Sequence, residues 1–180
     1  MVKFIFDLDY TLYGIRDNIN NTGNFNLYYD SFKPKLFLKS LLKQITKLSG
    51  KNINTNDFIL FTNGNEEHAK VVLTKLDLLD LFGPNKIVAR DTFEDTHGEL
   101  LKPNPIMYKL MIDKCKIKKD ETVYFFEDTI ENLEMAKNFG WQTILINPNR
   151  NNYNKFNYSF SHIEEALLFF IVKKNFDNKF

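Results

Sequence analysis

Phe4-Ile5-Phe6-Asp7-Leu8-Asp9-Tyr10-Thr11-Leu12 decides the fold: an apolar run ends abruptly in two carboxylates one residue apart, and a threonine follows. Val2 to Phe6 are β-branched or aromatic apart from Lys3, the pattern of a strand buried on both faces, and Asp7 stands where that strand leaves the sheet. Open α/β sheets carry their chemistry at this carboxyl end. Working outward, the same form recurs. Phe58-Ile59-Leu60-Phe61 ends in Thr62-Asn63-Gly64, 86–89 reads as a third short strand, 122–126 ends in Glu127-Asp128, and 143–146 makes a fifth before a Pro148-Asn149 turn.

Helical spacing fills the intervals. Pro34 opens a helix with Leu38, Leu41, Leu42, Ile45 and Leu48 on one side and Gly50 as its stop. Ala69, Val72, Leu73 and Leu76 form the next stripe, closed by Gly83-Pro84. Ile106, Met107, Leu110 and Met111 follow Pro105, and Ile130, Leu133 and Ala136 precede a Gly140 cap. A last helix over 161–174 turns Ile163, Ala166, Leu167, Phe170 and Ile171 inward. Strands alternating with helices predict an α/β fold, a Rossmann-like three-layer sandwich around a parallel sheet of about five strands. The stretch 13–33, with its polar run from Asp17 to Asn26, reads as an irregular insert, and 90–101 as a polar loop carrying His97.

The 180 residues fit one domain over 1–180 with a substantial core, 43% of them hydrophobic. Twenty-four basic side chains against 23 acidic ones leave a net charge of +1, so no global field draws the chain to nucleic acid or an anionic membrane. No stretch reaches the roughly 20 apolar residues of a membrane helix, and Asp7 and Asp9 interrupt the first apolar run too early for a signal peptide. With Cys115 as the single cysteine no internal disulfide forms, and a reducing, cytoplasmic location is the expectation.

Asp7 with Asp9, Thr62, Lys102, and Glu127 with Asp128 all fall just past strand ends, more polar groups than a core requires. Hard oxygen donors in this number suit Mg²⁺, which binds through one or two carboxylates plus substrate phosphate and water. A dication also offsets the repulsion that would raise the carboxyls' pKa values.

In order and spacing, from Phe4 to about Pro148, these residues resemble the four motifs of the haloacid dehalogenase-like (HAD) phosphohydrolases. The resemblance implies that Asp7 is a nucleophile forming an aspartyl-phosphate. It implies that Asp9 is the acid/base that protonates the leaving oxygen and then activates water, and that Thr11 steadies the loop. A carboxylate nucleophile splits phosphoryl transfer into two steps, and a nearby carboxylate can carry the proton. Thr62, with the amides of Asn63 and Gly64, resembles the phosphate-holding second motif, a natural anion cradle at a helix start. Lys102 resembles the third motif, which offsets charge on nucleophile and phosphate. Glu127-Asp128-Thr129 resembles the fourth, which positions Mg²⁺, with Asn132 behind it. Many relatives have two aspartates there, so Asp128 is expected as direct ligand and Glu127 as a direct or water-mediated one. Asp7 through its side chain and Asp9 through its carbonyl complete the implied metal contacts.

Asp9-Tyr10-Thr11-Leu12-Tyr13, Phe61-Thr62-Asn63-Gly64 with His68-Ala69, and Lys102-Pro103-Asn104-Pro105 look most like the pyrimidine 5′-nucleotidase-like branch. Members of that branch usually carry a helical cap between the first two motifs. Here only the short insert 13–33 is available, so the cap is expected to be reduced or absent. The implied activity is a Mg²⁺-dependent phosphomonoester hydrolase on a phosphorylated small molecule, with a nucleotide 5′-phosphate as one candidate. Two alternatives stand beside it: a capless phosphatase on a phosphoprotein or nucleic-acid end, and an inactive HAD-fold binding protein. His68 is expected on a helix surface or in packing, His97 in solvent, and Cys115 and Trp141 in packing. Phe25, Tyr28 and Tyr29 are expected to pack the insert against the body rather than stack on a base.

Overall fold

The structure, a computed structural model, describes residues 2–14, 25–48, 57–83, 85–93, 100–148 and 155–177. Gly50, Pro84, His97 and Asn149 lie outside the described residues, as does the side chain of Phe25. The elements run β1 (Val2–Phe6), α1 (Phe25–Asp30), α2 (Leu36–Leu48), β2 (Phe58–Phe61), α3 (Glu66–Lys75), β3 (Ile87–Val88), α4 (Pro105–Cys115), β4 (Thr122–Glu127), α5 (Ile130–Asn138), β5 (Gln142–Ile146), β6 (Tyr158–Phe160) and α6 (Ile163–Asp177). All strand pairs are parallel, in the order β3-β2-β1-β4-β5-β6.

β1 lies mid-sheet, with Phe4 opposite Phe58 on one side and Tyr124 on the other. Alternation divides its side chains between two cores. Phe4 and Phe6 join Phe58, Leu60 and the inner faces of α2, α3 and α6. Ile5 joins Ile59, Phe61, Phe125 and the inner faces of α4 and α5. Three layers result, and the strands are near-continuously apolar because both faces are covered. Lys3, the exception in that pattern, is held at the opposite end of the sheet by Asp57 at 2.5 Å and Glu121 at 3.8 Å.

Three expectations are corrected. Among the described residues the sheet has six strands rather than about five, because Tyr158–Phe160 adds a short edge. Within 13–33, expected to be irregular throughout, Phe25–Asp30 is helical. It docks on the body through Tyr28 and Phe32, whose rings meet edge to face at 5.3 Å, with Phe32 against Tyr13 at 4.8 Å. Ile106, expected inward, is half exposed in the first turn of α4, and Met107, Tyr108, Met111 and Cys115 form the buried face instead. The stop at Gly140 is as expected: with φ +74° it closes α5, its N–H donating to the Lys137 carbonyl and that of Trp141 to the Ala136 carbonyl.

Candidate active site

Each strand of the central trio ends in a polar group. Asp7 follows β1, its amide still donating to the Phe126 carbonyl at 2.9 Å, so the nucleophile candidate sits on the last rung of the sheet. Thr62 follows β2 in the same way, its amide bound to the Val88 carbonyl at 2.9 Å. Glu127 closes β4.

Lys102 comes from the loop before α4, after β3, and joins these ends. Its ammonium donates to Asp7 Oδ1, Glu127 Oε2 and the Phe61 carbonyl, each at 2.7 Å, and so uses all three of its protons. Asn63 fixes the lysine's backbone: its Nδ2 donates to the Lys102 carbonyl at 3.0 Å, and its Oδ1 accepts the Lys102 amide at 2.8 Å. The second motif therefore holds the third in place. Burial pulls the ammonium's pKa down, but the charges of Asp7 and Glu127 outweigh it and raise the pKa, so Lys102 remains a cation.

The acidic side is tightly drawn. Asp7, Glu127 and Asp128 each offer an oxygen within 4.8 Å of the others. Glu127 is fully engaged by protein: Oε1 accepts the amides of Asp128 at 3.2 Å and Thr129 at 3.1 Å, while Oε2 accepts Lys102 and, at 3.0 Å, Asn132 Nδ2. Burial first, then the Glu127 charge, raises the Asp7 carboxyl well above its ordinary range despite Lys102. Burial and Glu127 likewise push Asp128 up to about 7. Three carboxyls against one ammonium is a charge deficit that a hard dication relieves, and the all-oxygen donor set fits one.

Asp9 stands apart from that cluster. Its Oδ1 accepts a short hydrogen bond from the Tyr13 hydroxyl and a second from His68 Nε2 at 3.0 Å, while Oδ2 faces Thr62 Oγ1 at 3.4 Å. Burial pushes the Asp9 carboxyl up, but the hydrogen bonds from His68 and Tyr13, with the charges of His68 and Lys102, hold it below the ordinary carboxylate range. His68 is set by the first turn of α3, where the side chain of Asn65 caps the helix by accepting the His68 amide at 2.7 Å. Its ring was expected on a surface or in packing; it is half-buried beside the carboxylate instead.

Gly64 makes room for this arrangement. A Cβ there would lie 3.0 Å from His68 Cδ2 and 3.3 Å from Thr62 Oγ1, so the turn permits no side chain without displacing one of them. The Gly64 amide donates to Thr62 Oγ1 at 3.0 Å. Thr11 is buried, and among the described residues its hydroxyl has no hydrogen-bond partner; the loop around it closes through the Leu12 amide on the Leu8 carbonyl at 3.0 Å. Tyr10, between Asp9 and Thr11, is exposed at φ +61°, an uncommon conformation for a bulky residue.

The site thus joins Asp7, Lys102, Glu127, Asp128 and Asn132 on one side and Asp9, Thr62, Gly64 and His68 on the other, with Asn63 tying the two motif loops together. His68, expected on a helix surface or in packing, and the tyrosines behind it, expected to pack the insert, instead join the hydrogen bonds that lead to Asp9. The signals were present in outline: Tyr13 lies four residues beyond Asp9, and His68 lies three beyond the cap residue Asn65.

The profile of the haloacid dehalogenase-like hydrolases matches residues 9–140, beginning two residues after Asp7. No curated protein matches the chain significantly in sequence. Among solved structures, a HAD phosphatase from Thermococcus onnurineus is 17% identical over 94% of this chain and 98% of its own, with TM-score 0.57. A HAD-superfamily hydrolase from Ehrlichia chaffeensis is 17% identical over 96% of this chain and 97% of its own, with TM-score 0.62. The L-2-haloacid dehalogenase of Xanthobacter autotrophicus is 11% identical over 94% of this chain and 98% of its own, with TM-score 0.62. At these identities the likeness is one of fold, shared by phosphatases and dehalogenases alike. The match over most of its length assigns the chain to the haloacid dehalogenase-like hydrolases.

Proposed function

We propose that the protein is a Mg²⁺-dependent phosphomonoester hydrolase working through an aspartyl-phosphate on Asp7. The observation that carries this reading is the division of labour among the carboxyls: Asp7, Glu127 and Asp128 share one cluster with Lys102, while Asp9 is held separately on hydrogen bonds of its own. By the family resemblance, dehalogenation on this scaffold would use neither the second aspartate nor a cation.

Asp7 attacks phosphorus, forming an Asp7–phosphoryl bond as the bond to the leaving oxygen breaks, and Asp9 gives that oxygen its proton. Water then attacks phosphorus, Asp9 takes the water's proton, and the Asp7–phosphoryl bond breaks to release inorganic phosphate. Asp9, held below the ordinary carboxylate range, begins as a carboxylate, and the approach of a phosphate dianion favours its protonation. Lys102 offsets charge on Asp7 throughout, and Thr62 with the turn amides of Asn63 and Gly64 receives the phosphoryl oxygens, the Gly64 amide releasing Thr62 Oγ1 to do so. Asp7, Asp128 and the Asp9 carbonyl would hold Mg²⁺. Glu127, its oxygens already occupied by protein donors, would act through water or as a shared ligand. The cation supplies neutralisation of phosphoryl charge.

The substrate is a phosphorylated small molecule, with a nucleotide 5′-phosphate as the first candidate from the motif phrasing. No helix among the described residues is long and apolar enough to cross a membrane. A panel of nucleotides, sugar phosphates and phosphopeptides, assayed with Mg²⁺ and with chelator, tests the reading. Cation-dependent phosphate release from small esters is expected, falling about 10³-fold or more in Asp7→Asn. Release confined to phosphopeptides would move the substrate to macromolecules. Chloride release from a 2-haloacid without Mg²⁺ would make the protein a dehalogenase, and an inert panel would favour a binding role.

A further inference from the structure

The insert in the cap position carries two tyrosines, Tyr28 and Tyr29, whose hydroxyls reach Asp9, each through one intermediary. Tyr28 meets the Tyr13 hydroxyl at 3.1 Å, and Tyr13 donates to Asp9 Oδ1. Tyr29 meets His68 Nδ1 at 3.0 Å, and His68 Nε2 meets the same Oδ1 at 3.0 Å. Proton directions follow from the ends. An ionised carboxylate only accepts, so Tyr13 and His68 Nε2 both donate to Oδ1; Tyr13, its single proton spent, accepts from Tyr28. His68 Nδ1 and the Tyr29 hydroxyl stay paired whichever of the two carries the shared proton. Two chains therefore converge on one oxygen of Asp9, and among the described residues Oδ2 keeps only the long contact from Thr62 at 3.4 Å.

The chains are mechanically braced. Phe32 packs beneath Tyr13 and Tyr28. Asp30, closing α1, accepts from Lys75 of α3 at 2.8 Å, so α1 is tied to the helix that carries His68. Tyr28 and Tyr29 were expected to pack the insert against the body, and they do touch it, but their hydroxyls are spent on Tyr13 and His68, the two groups that hold Asp9.

We propose that this insert positions Asp9 rather than covering the substrate: Tyr29 through His68, and Tyr28 through Tyr13, lock Oδ1 so that Oδ2 is the oxygen that exchanges the proton with the leaving group. The inference rests on the phosphatase reading and adds four positioning residues to it. Loss of one chain lets the carboxylate rotate, which costs proton transfer more than binding.

Phenyl phosphate and p-nitrophenyl phosphate, matched in shape but differing in the basicity of the leaving oxygen, test it. Nitrophenolate departs without a proton, whereas phenolate needs one. Tyr29→Phe is expected to lower kcat/KM for phenyl phosphate by about tenfold, with KM within about twofold and kcat/KM for p-nitrophenyl phosphate within about twofold. In a His68→Gln background, where the link to Tyr29 is already cut, Tyr29→Phe should add nothing. Tyr28→Phe reads the second chain in the same way should Tyr29→Phe fold poorly. Equal losses on both substrates, no loss on either, or additive effects in the double variant overturn the positioning role while leaving the phosphatase reading intact. Wild-type protein inert toward both substrates with Mg²⁺ overturns the two together.

Discussion

Lys102 is the residue on which the site's charge depends, since it is buried with its ammonium shared between Asp7 and Glu127. Removing it leaves those carboxylates facing each other without a cation. Lys102→Ala is therefore expected to lower stability at neutral pH by about 3 kcal/mol in urea unfolding. The deficit should shrink in acid, where the Asp7 carboxyl, raised by burial, takes its proton; an unchanged deficit at low pH would mean that packing rather than charge is lost. Asp7, Asp9, Thr62 and Asp128 were legible from sequence because each stands close behind an apolar run, and Lys102, at the end of a polar loop, only through the resemblance of its motif. His68 was not, because its meaning lies in a contact with Asp9 across 59 residues, made only once β1 and β2 pair and the Asn65 cap fixes the first turn of α3.

Turns between elements carry the next set of consequences. Gly64→Ala places a methyl group against His68 and Thr62, and activity is expected to fall about tenfold while the unfolding midpoint moves little, since the crowding is local. Gly140→Ala is the converse. Its φ of +74° is costly for a side chain although nothing lies within 4 Å of the added methyl, so stability should drop by about 1 kcal/mol with activity unchanged. Elements with a long apolar stripe, such as α2 and α3, could be read in advance. α1 could not, since six residues give no periodicity and a helix so short forms only because tertiary packing on Tyr13 and α3 holds it. β6 escaped for a similar reason: three half-buried edge residues show little of a strand's pattern until β5 is there to pair with.

For the molecule as a whole, the sheet gathers carboxyls that the cation-free protein can hold only at a cost. The Asp128 carboxyl, at about 7 against an ordinary value of 3.8, stabilises the fold most when protonated; that contribution is complete below its unfolded value and is lost as pH rises through about 7. Asp7 is shifted in the same direction. Asp9, shifted downward, acts oppositely, but its contribution is lost only in acid, below the ordinary carboxylate value. Cation-free protein is accordingly expected to lose Tm between about pH 4 and about pH 7, and added Mg²⁺ to raise Tm more at the upper end, where the carboxylates are already free of protons. A Mg²⁺ increment independent of pH would place the cation elsewhere. The central claim is a covalent step at one named residue, and quenching the protein during turnover of p-nitrophenyl phosphate with Mg²⁺, followed by peptide mass spectrometry, reads it directly. The account predicts an acyl-phosphate on Asp7 that is absent in Asp7→Asn; turnover that proceeds with Asp7 unmodified, or persists in Asp7→Asn, would contradict it.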